Sequence, residues 1–459
     1  MKSVTLTTSI KDQPTIKNKI LDTDQKLAPG LLLSLILWLM LWVGYNIGIE
    51  RAISPGFPHS TLDLIHRVRA FLPLSSAYLA IILLLGRHPL SIRLFRGPLG
   101  LLALYTIFGI TSSILSREPF TALSWAILYG AVLIVVWAIS VGSNSLSRLS
   151  SVINLNWAIV AVVGVSLLVF FLFQPGVISS LIAGNFPVGR PYGELAGEEK
   201  EIMGMPGTRP TGLGRYAGVV AIVFLARLLF PKKRSKSLWF FLFLFFLFLL
   251  IFSQARTAIL AFLAGGLLIL WLKTRSKLLL TFGIIFGLFL LGLTGFYQAF
   301  YTYLIEKMPF VFTLSGRTIG VWPEAWQFFL SSPFLGWGFH ADRIFLEGQH
   351  IHNAVLHALV QTGLIGTIFF VSAFIWAWII LFRLLKQPRF QKTEKPRLIE
   401  IAGVLAFFTV RSITESTGAF FGADWILLAP LLAYITILNQ RNFYFKSVKG
   451  QYIKKKEVA

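Results

Sequence analysis

The sequence predicts an all-α fold, a polytopic helical membrane protein with about 12 transmembrane helices. Of the 459 residues 56% are hydrophobic and only 13% are charged, whereas a soluble domain carries about a quarter charged residues. Apolar runs of roughly 20 residues, long enough to cross about 30 Å of hydrocarbon as a helix, recur along the whole chain. Short basic segments separate many of these runs. We therefore expect a chain that crosses a membrane repeatedly.

Twelve apolar runs are the predicted spans, each of a length that suits a membrane helix. No internal repeat and no soluble domain is recognisable among them. The predicted spans are residues 29–49, 70–86, 98–115, 120–141, 152–174, 211–230, 237–252, 256–272, 277–296, 354–382, 399–417 and 423–439.

The charges of the loops predict the orientation of the spans, because lysine and arginine favour the cytoplasmic side. With a cytoplasmic N-terminus, the most basic segments all lie inside: RHPLSIRLFR, PKKRSK, KTRSK, RLLKQPRFQKTEKPR and KSVKGQYIKKK. Both termini are then cytoplasmic. The predicted organisation is a cytoplasmic tail (1–28), spans 1–9 (29–296), a long outer loop (297–353), spans 10–12 (354–439) and a basic cytoplasmic tail (440–459).

The overall composition excludes several classes of protein. A net charge of +23 would suggest a nucleic-acid partner in a soluble protein, but basic loops that orient helices explain it here, so we expect no nucleic acid. The absence of cysteine excludes disulfides and thiolate metal sites. The polar N-terminal segment lacks the cleavage pattern of a signal peptide, which predicts a retained anchor.

The outer loop 297–353 is predicted to contain an interfacial helix. Ile319, Trp322, Trp326 and Phe329 follow one another at spacings of three and four, which places them on one helix face. Tryptophan suits the headgroup layer of a membrane. Pro323 is compatible with this helix only in its first turn. A second long outer loop, 175–210, is rich in Gly, Pro and charge, so we expect it to be irregular.

Arginines lie at the predicted outer ends of several spans. Arg256 opens the eighth span, Arg209 and Arg215 flank the start of the sixth, and Arg317 precedes the loop helix. A membrane-embedded arginine indicates function unless it merely extends to the headgroups, which is easy at a helix end. Together with histidines on the same side, these arginines suggest an anion site. Near the end of the eleventh span, Arg411 and Glu415 have the spacing of a structural ion pair.

Four of the seven histidines cluster at the end of the outer loop, namely His340, His350, His352 and His357. A metal site, a proton relay and a single catalytic base are the alternatives. No nearby carboxylate or cysteine clearly completes a zinc site. His357 lies about 140° round the helix from His352, which favours a packing role.

The motifs of this region resemble those of the O-antigen ligase and O-antigen polymerase superfamily. The ordered set runs from about residue 250 to 370: SQAR with Arg256, then SGRTIGVWPEAWQFFLSSPFLGWGFH, then HIHNAVLHALVQTGLIG. The set includes a Gly-Arg pair, a Pro-Leu-Gly-type turn, a His-Asn pair and a Gly-Leu-Ile-Gly helix.

The resemblance implies a metal-independent glycosyltransferase that uses polyprenyl-diphosphate-linked glycans at the periplasmic face of the inner membrane. Arg256 and Arg317 would hold the diphosphate, and His352 would act as the base at the acceptor hydroxyl, with His350 second. The diphosphate is a good leaving group that arginines can stabilise without a metal, and histidine can accept a proton near neutral pH. A direct displacement would invert the anomeric centre. We expect no cofactor and no metal.

The remaining predicted site residues bind the substrate: Arg209, Arg215, Trp322, His350 and Asn353. The expected partners are an undecaprenyl-diphosphate-linked glycan, a lipid or glycan acceptor and the membrane lipids. The layout favours a ligase that transfers a glycan to lipid A core or a similar acceptor. A polymerase of O-antigen or exopolysaccharide is the alternative. An anion transporter, for example of bicarbonate, and a structural partner in an envelope assembly are rival interpretations, although transporters place their binding groups nearer the bilayer midplane.

Overall fold

The computed structural model describes residues 30–45, 47–49, 61–86, 93–142, 144–172, 210–230, 236–253, 255–274, 320–346, 348–387 and 394–457. Most of these residues are helical, and no β-strand occurs among them. The helices are α1 (Leu31–Val43), α2 (Thr61–Leu85), α3 (Pro98–Ser112), α4 (Pro119–Ser140), α5 (Ser145–Leu172), α6 (Pro210–Leu229), α7 (Lys236–Phe252), α8 (Arg256–Lys273), α9 (Trp322–Ser331), α10 (Ala341–Phe345), α11 (Ala354–Leu385), α12 (Lys395–Arg411) and α13 (Ala423–Glu457).

The fold class predicted from the sequence is confirmed. Within the described residues, eight helices are long and apolar enough to cross a membrane, and α1 and α7 are shorter apolar helices. Each predicted span coincides with a helix, except the ninth (277–296), which lies outside the described residues. The chain is therefore a multi-pass membrane protein.

Several span boundaries differ from the prediction: α5 begins at Ser145, before its apolar run, and α13 continues to Glu457. At two other boundaries polar contacts extend or end the helix. The second span begins at Thr61, nine residues before the apolar run, where Arg67 forms an i,i+4 ion pair with Asp63 at 3.2 Å. The eleventh ends at Arg411, and the residues up to 417 form turns whose polar side chains are used in the site described below.

Buried polar groups connect the helices of the bundle. Asn156 of α5 accepts hydrogen bonds from the indole nitrogens of Trp38 and Trp42 of α1, both at 2.7 Å. Glu400 of α12 accepts one from Trp157 of α5 at 2.8 Å and pairs with Arg227 of α6 at 3.3 Å. Because an unpaired polar group in hydrocarbon is costly, these contacts fix how the helices pack.

The turn 333–338 is inserted against α11. The backbone N–H of Trp337 donates to the carbonyl of Val360 at 2.9 Å, and that of Gly338 donates to the carbonyl of Gln361 at 2.8 Å. In a continuous helix these two carbonyls would accept from residues one turn further on. The turn therefore replaces helical hydrogen bonds and attaches the loop to α11.

The break in α11 is at Gly363, whose φ of 62° and ψ of −167° are not helical. The backbone N–H of Leu364 donates to the carbonyl of Pro333 at 2.8 Å. An added Cβ on Gly363 would lie 2.2 Å from the carbonyl carbon of Phe334. Only glycine permits both this conformation and this close approach.

The loop helix α9 forms with Pro323 in its first turn, as the sequence predicts. The predicted apolar face meets two different environments. Phe329 is buried with Ala325 in a small core of the loop, whereas Trp326 is exposed, and Ile319 lies outside the described residues. Spacing alone could not show that the loop has its own core, which covers one half of the face.

Candidate functional site

The candidate site lies where the ends of several helices meet, which we call the site end of the bundle. The start of α6, the start of α8, the segment before α11 and the α12–α13 connection contribute to it. Contacts between these segments, described below, bring Arg215 and His352 into one network and place Arg256 beside Arg215.

His352 is held by a carboxylate. Its Nδ1 lies 3.0 Å from Oε2 of Glu415, and its side chain remains 31% exposed, whereas that of Glu415 is 10% exposed. If Nδ1 carries the proton and donates a hydrogen bond to Glu415, Nε2 presents its lone pair to an incoming group. The backbone of His352 is in the left-handed region, at φ 53°.

Asn353 fixes the position of this histidine. Its side-chain oxygen accepts from the backbone N–H of Leu356 at 2.8 Å and caps the N-terminus of α11, and its Nδ2 donates to the carbonyl of Ile413 at 3.0 Å. The backbone N–H of Ala354 donates to the carbonyl of Ser412 at 2.9 Å. Both ends of the Asn353 amide are therefore engaged within the protein, and they hold the backbone beside His352.

A chain of buried ion pairs continues from Glu415. Arg411 Nη2 lies 3.9 Å from Glu415 Oε2, and Arg411 Nη1 donates to Asp424 Oδ2. Arg215 Nη1 lies 3.3 Å from Asp424 Oδ1. The expected Arg411–Glu415 pair thus exists, with Asp424 as the closer partner of Arg411. This network connects the mouth of α6 to His352.

Arg215 and Arg256 lie on adjacent helix ends. A Cβ added to Gly214 would lie 2.3 Å from the Cβ of Ala255, so the residues preceding the two arginines are in contact. Arg256 opens α8 as predicted, and its side chain is exposed. Arg215 also donates from Nη2 to the hydroxyl of Tyr216 at 3.0 Å.

A second histidine group surrounds Asp342, which is almost fully buried. Asp342 Oδ2 lies 3.0 Å from His350 Nδ1 and 3.5 Å from His357 Nδ1. Burial alone would raise the pKa of Asp342, but the neighbouring histidines His357, His350 and His340 outweigh it and hold the pKa well below its usual range. His357 Nδ1 therefore lies near a buried carboxylate without a hydrogen bond to it, and its ring stacks on Phe420. The packing role expected of His357 stays a prediction.

His340 faces the bundle from the loop. Its ring stacks on Trp125 of α4, with ring centroids 4.7 Å apart and planes 3° apart. Burial lowers the pKa of His340 to about 4, against the raising effect of Asp342. The side chain is therefore neutral near pH 7.

The two histidine groups adjoin each other. The rings of His350 and His352 are edge-to-face, with centroids 5.7 Å apart. Among the described residues no set of three or more His, Cys, Asp or Glu side chains is arranged to hold a metal. The carboxylates here act as hydrogen-bond acceptors for the imidazoles.

Trp322 supports the histidine segment from the other side. Its indole Nε1 donates to the carbonyl of Ile351 at 2.7 Å. The contact orients the backbone next to His352, so Trp322 also has a positioning role. Arg209 and Arg317, the other predicted site residues, lie outside the described residues.

Sequence reasoning missed three acidic partners. Glu415 was assigned only to Arg411, and neither Asp342 nor Asp424 was singled out. Asp342 and Asp424 carry no motif of their own. A signal was present at Glu415, since a carboxylate at a span end has a cost that calls for more than one partner.

Comparison with known proteins identifies the region that carries most of these residues. Residues 241–371 match the O-antigen ligase family. The resemblance inferred from the motifs is thereby confirmed. No curated protein matches the chain.

The O-antigen ligase match defines the general activity. It implies a glycosyltransferase-like membrane enzyme of O-antigen, lipopolysaccharide or polysaccharide biosynthesis, with a lipid-linked glycan donor and an acceptor in a membrane. The matched region includes Arg256 and His352 and ends before Arg411, Glu415 and Asp424. The carboxylate that holds His352 is therefore supplied by the part of the chain beyond the match.

Proposed function

We propose that the protein is an O-antigen ligase-like glycosyltransferase. It transfers a glycan from an undecaprenyl-diphosphate carrier to an acceptor hydroxyl, on lipid A core or a similar acceptor, at the periplasmic face of the inner membrane. The observation that carries the proposal is the pairing of His352 with Glu415 at the same end of the bundle as Arg215 and Arg256.

His352 is the general base of this reaction. With Nδ1–H directed to Glu415, its Nε2 removes the proton of the acceptor hydroxyl as the oxygen attacks the anomeric carbon. The bond from that carbon to the diphosphate breaks, the carrier diphosphate leaves with the electron pair, and the configuration inverts. Such base catalysis contributes roughly 10²–10⁴ in rate.

Glu415 is a positioning residue for His352. A buried carboxylate on Nδ1 selects the tautomer of the imidazole and stabilises the imidazolium that forms during transfer. Arg411 Nη2 lies 3.9 Å from the Glu415 oxygen that accepts this hydrogen bond and places a positive charge beside it. Asn353 and Trp322 hold the adjacent backbone on either side.

The arginines bind the leaving group. Arg256 and Arg317 hold the diphosphate, and Arg209 and Arg215 contribute to binding the substrate. Each charge-assisted hydrogen bond to a phosphate oxygen contributes about 1.5–3 kcal/mol. Guanidinium groups thereby stabilise the charge that develops on the diphosphate in place of a metal. His350, beside His352, completes the acceptor side.

The test is transfer in vitro, with the purified protein, a polyprenyl-diphosphate-linked glycan and the acceptor. We expect His352→Ala to lose transfer by about 10²-fold or more and to keep donor binding. Val355→Ala, an exposed position on the same helix turn, is the control and should transfer normally. Full activity in a His350/His352 double alanine variant, or activity lost to a chelator and restored by zinc, would contradict the proposal.

Arg256→Lys examines the donor side separately. Lysine keeps the charge but lacks the planar fork that matches two phosphate oxygens, so most activity should be lost together with donor affinity. The measurement is donor titration alongside transfer. Unimpaired binding and transfer at normal expression would reduce Arg256 to an anchor at the membrane surface.

A further inference from the structure

The helix α9 presents two different exposed edges beside its buried face. Ala325 and Phe329 pack into the core of the loop. At about 100° per residue, Trp326 and Leu330 lie together on one flank of the helix and Gln327 and Ser331 on the other. Trp326 is 46% exposed and Leu330 is 50% exposed.

Phe334 extends the apolar flank past the end of the helix. It follows Leu330 by four residues and is 64% exposed. We call Trp326, Leu330 and Phe334 the apolar edge. The opposite flank is polar, since Glu324, Gln327 and Ser331 are all exposed there.

The apolar edge runs into the exposed side of a membrane span. The turn that carries Phe334 is hydrogen-bonded to α11 through Pro333 and Leu364, at 2.8 Å. Leu364 is 45% exposed and Ile368, one turn further along α11, is 54% exposed. The helix α11 is one of those long and apolar enough to cross a membrane, so its exposed apolar side faces lipid.

We propose that the apolar edge is immersed in the membrane leaflet at the site end, so that the partner of α9 is the lipid surface itself. Lipid is the partner we assign because the apolar edge is continuous with the lipid-facing side of α11. Tryptophan at position 326 suits the headgroup boundary, and Leu330 and Phe334 suit the acyl region beneath it. Gln327 and Ser331 then face water. Phe329, which the sequence places on the same helix face as the tryptophans, packs into the core of the loop instead.

The position of α9 also determines how far His352 lies from the membrane surface. Trp322, at the start of α9, donates to the carbonyl of Ile351, one residue before His352. A helix that lies in the leaflet therefore holds this histidine near the headgroup layer. On the proposed function, that is the level at which the diphosphate of a lipid carrier lies. The lipid contact itself does not depend on that function.

The absence of cysteine from the chain allows a direct test with single-cysteine variants of the full-length protein. Leu330→Cys and Phe334→Cys probe the apolar edge, and Gln327→Cys is the matched control one turn away. Each protein is placed in nanodiscs and treated with a membrane-impermeant maleimide. The thiolate is the reactive form and apolar surroundings disfavour it, so the two edge variants should react at least about tenfold more slowly than Gln327→Cys.

A second measurement identifies what covers the edge. A bimane label, attached to the edge cysteines in detergent before reconstitution, should be quenched by brominated lipids, and the label on Gln327→Cys should not. Equal maleimide rates at all three positions would overturn the proposal. Protection without quenching by lipid, in nanodiscs that hold one copy of the protein, would also overturn it, because a protein surface would then be covering the edge.

Discussion

Backbone strain marks two histidines of the loop. His340 and His352 are the non-glycine residues with positive φ in the described part of the chain, at 67° and 53°. A non-glycine residue in this region is uncommon and has an energetic cost of about 1–3 kcal/mol, which the surrounding contacts must offset. For His352 those contacts are Glu415 and the Asn353 cap. The strain is thus placed where an imidazole has to point in one direction.

The burial of His340 predicts that the folded protein loses stability as the pH falls. The folded pKa of this histidine, about 4, lies below the value near 6.5 of an unfolded chain. Between these values the unfolded chain binds more protons, so stability rises with pH in this window and is lost as the pH falls from 6.5 towards 4. His340→Asn, which tolerates the positive φ, should lose less melting temperature than wild type between about pH 7 and about pH 5. Equal losses in thermal melts of the two proteins would contradict this assignment.

Two of the sequence motifs contact each other in the structure. The Pro-Phe-Leu-Gly turn, residues 333–336, packs against α11 at the break that Gly363 makes in this helix. The sequence suggested both motifs but could not show that they touch, because the contact depends on a non-helical glycine inside an apolar run. The break orients the first half of α11, and with it His352.

Gly363→Ala should therefore uncouple the loop from the bundle. The added Cβ meets the Phe334 carbonyl at 2.2 Å, and the backbone angles are strained for alanine. We expect a loss of more than about 3 kcal/mol from strain and clash combined, together with lower activity. Gly320→Ala is the control, since nothing lies within 4 Å of its added Cβ. Denaturant or thermal melts compare them, and equal stability of both variants would contradict the role of the break.

The spans could be predicted from the sequence because hydropathy follows directly from the solvent that each helix meets. Their polar ends could not. Glu415 holds His352 from 63 positions away in the chain, and Arg215 meets Asp424 across 209 positions. Such pairs depend on how helices pack, and hydrophobic periodicity carries no information about that. The arginines and His352 could be singled out by residue type and order, but their carboxylate partners required the fold.

For the whole molecule, the contacts at the site end require the starts of α6, α8, α11 and α13 to lie on one side of the membrane. The charge bias of the loops predicts that this side is periplasmic and that both termini are cytoplasmic. A reporter fused after residue 459 should read as cytoplasmic, and one inserted at Gly348, which is exposed, should read as periplasmic. If both reporters lie on the same side, the number of spans between them is even and the assigned topology is wrong.

We propose that His352 and Glu415 act as one unit during transfer. A double-mutant cycle of in vitro transfer rates measures their coupling, with His352→Ala, Glu415→Gln and the double variant, and with donor binding measured for each. Residues that act as a unit have non-additive effects. We therefore expect each single variant to lose at least about 10² in rate and the double variant to be no slower than His352→Ala. A double variant whose loss equals the product of the two single losses, or a Glu415→Gln variant with wild-type rate, would show that the two residues act independently.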